Sequence, residues 1–167
     1  MSARMGITVQ TRAGHIGYRH QLDRVRRFLA RVEGGHASDV DFQDMIWSFF
    51  QHCWHLKDWV EHDPLASPTQ KSAVKRAVHN SPLLLICRDM CNGTKHLKLD
   101  NPSSGTGAQH NHVDMKITPG SDHPAELDCL IDDGMGRLIS GKQLARDCVA
   151  EWERILTATG LNTARMS

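Results

Sequence analysis

The sequence predicts a mainly α-helical protein, a four- to five-helix bundle with a small antiparallel β-hairpin inserted before the C-terminal helix. Three observations carry that expectation. Apolar residues recur at spacings of three and four from Tyr18 to Cys91 and again after residue 140. The period drops to two only between Val113 and Ile131. Pro, Gly and Ser clusters fall between these stretches rather than inside them. A chain of 167 residues suits one domain with one core. We divide it into an N-terminal arm (1–14), a helical part (15–100), the hairpin (111–139) and a last helix (140–160).

The first helix follows from Tyr18, Leu22, Val25, Leu29 and Val32, which form one stripe with arginines on the other side; Gly34-Gly35 ends it. Ser38, Asp39 or Asp41 caps a second helix running to about His62, with the stripe Phe42, Ile46, Phe49, Cys53, Leu56 and Val60. Six of the protein's nine aromatic residues lie between Phe42 and Trp59, and Trp47 and Trp54 fall opposite the stripe. This helix is therefore expected at the centre, packed on more than one side.

Asp63-Pro64 stops it. Ser67-Pro68 opens a third helix with Ser as N-cap and Pro at the first helical position, and Asn80-Ser81-Pro82 repeats that signal for a fourth, expected to reach Leu97 or Leu99. Asn101 to His110 reads as a loop. Val113, Met115 and Ile117, then Leu127, Cys129 and Ile131, alternate with polar residues as two strands, and Arg137 to Ile139 offers a short third. Ser140 with Gln143 has the capping-box pattern and starts the last helix, which carries Leu144, Cys148, Trp152, Ile155 and Leu156.

Composition narrows the function classes. The longest uncharged apolar run, Leu83 to Cys87, is far shorter than the roughly 20 residues of a membrane helix, so no membrane partner is expected. Nothing after Arg4 looks like a secretory h-region, and five cysteines without a CxxC pair argue against a disulfide framework or zinc ribbon; a reducing cytoplasm is the expected setting. The net charge of +1 lacks the large basic excess of a strong nucleic-acid binder. The arginines at 12, 19, 24, 26, 27 and 31 read as a solvated helix face.

Two segments stand out among the sites of the eleven histidines. In QHCWHLKDWVEH, His55, Asp58 and His62 lie at i, i+3 and i+7 of a helix, where a His held by an Asp could serve as general base or metal ligand. In RDMCNGTKH, Arg88, Asn92 and His96 step by four along one face. Asn92, Gly93 and Thr94 are weak helix formers, and Gly93 alone costs about 1 kcal/mol relative to Ala, which calls for a compensating reason such as a close helix approach. His15, His20, His36, His79, His110, His112 and His123 are expected to be solvated. One mononuclear metal site could draw on His55, Asp58, His62 and His96, with Asp89 as a further candidate. Cys87 and Cys91 share the apolar face and read as small hydrophobes.

A helical bundle with a polar motif ending in His on a late helix resembles the HEPN superfamily, whose motif is Arg, four to six residues, then His, often with a polar residue directly after the Arg. Asn92 and His96 match the polar residue and the His, while Cys91 stands where the motif has Arg and Arg88 is the nearest arginine. The resemblance implies an RNA-processing enzyme acting as a dimer, with His96, Asn92 and Arg88 at the scissile phosphate. WHLKDW with CNGTKHLKL and a Trp-bearing last helix also resembles small bacterial proteins, which implies a fold only. The reading set first is a cytoplasmic, dimeric helical interaction module, in which Trp47, Trp54 and Trp59, if not all buried in the monomer, would make a Trp-rich dimer interface. The RNA-processing enzyme and the metal site are its alternatives. The candidate catalytic residues are His96, Asn92, Arg88, His55 and Asp58.

Overall fold

The computed structural model describes residues 16–93, 109–117, 125–133 and 135–166. In chain order these give α1 (Tyr18–Glu33), α2 (Asp39–His62), α3 (Pro68–His79), α4 (Pro82–Gly93), β1 (Gln109–Ile117), β2 (Ala125–Asp132), β3 (Leu138–Ser140) and α5 (Gly141–Ala158). The mainly helical architecture with a small antiparallel sheet before the last helix is as the sequence predicts. No helix among the described residues is long and apolar enough to cross a membrane.

The helix starts obey local chemistry. The Ser38 and Ser67 side chains accept the Asp41 and Gln70 backbone N–H groups, and the Gln70 side chain returns to the Ser67 N–H. Ser140 likewise accepts from Gln143 N–H, but the Gln143 side chain turns to Asp147, so only half of that predicted capping box forms. Asp63, at the end of α2, is buried. One of its carboxylate oxygens accepts the Tyr18 N–H at 2.9 Å, so the end of one helix caps the start of another.

α2 is the central helix. Its whole apolar stripe, Phe42, Ile46, Phe49, Cys53, Leu56 and Val60, is sealed from solvent, with α1, α3, α4, α5 and β2 around it. Trp152 of α5 is fully buried and donates its indole N–H to the Cys53 carbonyl at 3.1 Å. The sheet has the order β1-β2-β3, all antiparallel, with Val113 opposite Cys129 and Ile131 opposite Ile139. It is held to the helices where α5 begins. A Cβ at Gly141 would stand 2.2 Å from Cys129 Sγ and 2.8 Å from Ile46 Cδ1, so only glycine permits that approach.

Several expectations need correcting. β1 starts at Gln109, which pairs with Asp132, so the ladder takes in the end of the expected loop; backbone pairing does not require apolar alternation. Gly93 is exposed, and among the described residues no other element comes within 4 Å of where its Cβ would be. The His36 ring is almost wholly buried, edge-on to Phe42 and hydrogen-bonded to the Val32 carbonyl, and so closes the end of α1 rather than facing water. Trp54 is buried, and Trp47 and Trp59 are half-buried against the core. The arm, the reach of α4 beyond Gly93 and the region 101–108 lie outside the described residues.

Candidate functional site

The seam between α2 and α4 brings the two sequence motifs together. His55 reaches across it, with Nε2 4.0 Å from Cys91 Sγ. Arg88, two turns into α4, lays its guanidinium 5.7 Å from the centre of the Trp54 ring. Asn92 is half-buried on the same helix, and His96 lies outside the described residues.

The face on α2 is less unified than its spacing suggests. The Asp58 carboxylate is taken by Lys57, and His62, exposed, shares a hydrogen bond with the Asp58 backbone carbonyl at 2.8 Å, not with the carboxylate. His55, Asp58 and His62 do not gather as ligands. Among the described residues, the one group of three metal-ligating side chains within 4.8 Å of one another is Cys53, Cys87 and Cys148. Asp89 is buried on α4 and is not in that group.

Around Trp54 a cationic rim has assembled that the sequence reading did not single out. The Lys57 ammonium lies 5.2 Å from the indole centre, Arg88 covers it from α4, and the His79 ring meets it edge-on at 6.3 Å from the end of α3. Each cation over an indole contributes about 0.5–2 kcal/mol, the more so when partly desolvated. The rim opens into a groove of about 310 Å³ between α2 and α3, where Lys71, Lys75 and His79 join Lys57. Glu61 lines the groove too, 3.9 Å from Lys75. Among the described residues lining the groove, three lysines stand beside one carboxylate, Glu61, while Arg88 lies outside it over Trp54 and Asp58 is engaged by Lys57. The available signal in the sequence was the four-residue step from Lys71 to Lys75 to His79, which puts all three on one face of α3.

Behind the rim, His52 stacks on Phe28 with ring centres 4.6 Å apart. Burial first, then repulsion from Arg24 and His55, holds its pKa below the usual 6.5. Gln21, buried beneath it, donates to the His52 carbonyl at 2.9 Å and accepts from Arg24 at 3.1 Å.

No family model matches the chain, and neither the curated proteins nor the solved structures include one that matches it.

Proposed function

We propose that the protein is a helical binding module that engages RNA through its backbone phosphates, using the groove between α2 and α3. The observation that carries this reading is the ring of Lys57, Arg88 and His79 about Trp54, continuous with Lys71 and Lys75. Lys71 and Lys75 are one helical turn apart, ~6 Å along the axis, a spacing suited to successive phosphates of one strand. Among the described residues lining the groove, the carboxylate is Glu61 alone, and Asp58 engages Lys57. The small net charge of the whole chain does not oppose this, because phosphate contact depends on the local field.

Fluorescence anisotropy with a labelled single-stranded RNA, titrated at several salt concentrations, tests the proposal. Three or four phosphate contacts predict that log K falls with log salt at a slope of roughly −2 to −3. Absence of binding at low salt, or binding that ignores salt, would rule the reading out.

A second reading, the RNA-processing enzyme, is favoured by the junction of His55 with Cys91, which places both motif helices along one seam. Its catalytic group would be His96, with Asn92 and Arg88 positioned beside it. It predicts that labelled RNA is shortened by the protein and that His96→Ala stops the cleavage while binding persists. Intact RNA after prolonged incubation with protein that binds it would leave the binding module alone standing.

A further inference from the structure

Three of the five cysteines meet in the middle of the bundle. Cys53 comes from α2, Cys87 from α4 and Cys148 from α5; each is fully buried, and their sulfurs lie within 4.8 Å of one another. Cys91 and Cys129 are buried as well but do not belong to the group. Isolated buried thiols are common as small hydrophobes. Three converging from three helices place three soft donors around one point.

We propose that Cys53, Cys87 and Cys148 form a three-sulfur site for a soft metal cation, with copper(I) favoured over zinc(II). With metal–sulfur bonds of about 2.3 Å, three sulfurs in a plane stand ~4.0 Å apart, so each sulfur here need move inward by no more than roughly 0.5 Å. The coordination number separates the two ions. Structural zinc takes four ligands almost without exception, and no fourth His, Cys, Asp or Glu joins the group among the described residues. Copper(I) is matched to thiolate donors by softness rather than by a fourth ligand.

Each thiol that becomes a ligand releases its proton to solvent, and neither metal nor sulfur changes oxidation state. Because all three sulfurs are closed off, the ion enters as the helices assemble and not through a channel.

The test uses the full chain, reduced and free of oxygen, refolded from denaturant with copper(I) in one arm and zinc(II) in the other. Native mass spectrometry, X-ray absorption and the thermal midpoint are then read after free metal is removed. The expected result is one copper per chain with three sulfur neighbours and a raised midpoint. Cys148→Ala and Cys87→Ser should each weaken retention by about a hundredfold, while Cys91→Ala and Cys129→Ala keep it. Two separate ligand variants are used so that failure of one to fold leaves the other as the test, with far-UV circular dichroism as the check. If neither ion is retained by the native sequence, or retention is unchanged in a folded ligand variant, the site does not exist. Zinc held with the same cysteine dependence, in preference to copper, would overturn the copper assignment.

Discussion

Cys53 and Trp54 are neighbours in sequence and belong to different chemistries. Cys53 faces the fully closed side of α2, where Phe49, Leu56, Trp152 and two further thiols leave no room for water. Trp54 faces the other side, ringed by Lys57, Arg88 and His79, of which Lys57 and His79 also line the groove between α2 and α3. One helix thus serves as core on one side and as support for a charged surface on the other. Changes on the closed side should be read in stability, and changes at the rim in ligand affinity.

The largest effect should come from Trp152→Ala. It removes a fully buried indole and its bond to the Cys53 carbonyl, and should cost about 3–5 kcal/mol by denaturant unfolding. A cost below ~1 kcal/mol would show that the closed side is not close-packed. Gly141→Ala should follow at about 1–3 kcal/mol, because its methyl would meet Cys129 Sγ at 2.2 Å. Pairing it with Cys129→Ala should recover part of that loss, and strictly additive costs would argue that the clash is not with this sulfur.

Arg88→Ala crosses the boundary. Loss of its stack on Trp54 should lower stability by about 0.5–2 kcal/mol, and loss of a phosphate contact should make the salt dependence of RNA binding shallower by ~0.7. A change in stability with RNA binding untouched would assign Arg88 to the core side alone.

The smallest effect concerns pH. His52 has its folded pKa below 6.5, so the unfolded chain takes up the proton first as pH falls. Its contribution to stability is complete above pH 6.5 and is lost as the pH drops from there toward the folded value. In His52→Gln the unfolding midpoint should fall less steeply over that interval, as thermal melts across the range would show. An unchanged pH profile would mean that His52 is not the group responsible.

Much of the fold was legible because its signals are local. The stripe from Phe42 to Val60, the Ser67-Pro68 start and the alternation from Leu127 to Ile131 each determine their own element. The sulfur group was not legible, since Cys53, Cys87 and Cys148 each look like one more apolar residue on a separate helix, and only packing joins them. The rim escaped for a related reason, its cations being divided among α2, α3 and α4. Spacing did place Arg88 and Asn92 on one helix and His55 on another, and the bundle brings those helices together at Cys91. It overstated the unity of His55, Asp58 and His62, because a shared face does not prevent a neighbouring lysine from engaging the carboxylate.

The division of α2 is tested most directly at Lys71 and Lys75, which line the groove without forming part of the core. Anisotropy titrations should compare the native protein with Lys71→Ala/Lys75→Ala across salt concentrations, with unfolding measured on the same samples. Our account predicts stability unchanged within about 0.5 kcal/mol, RNA affinity reduced about tenfold or more at low salt, and a salt slope shallower by ~1.4. Native-like affinity and slope in the double variant would contradict it.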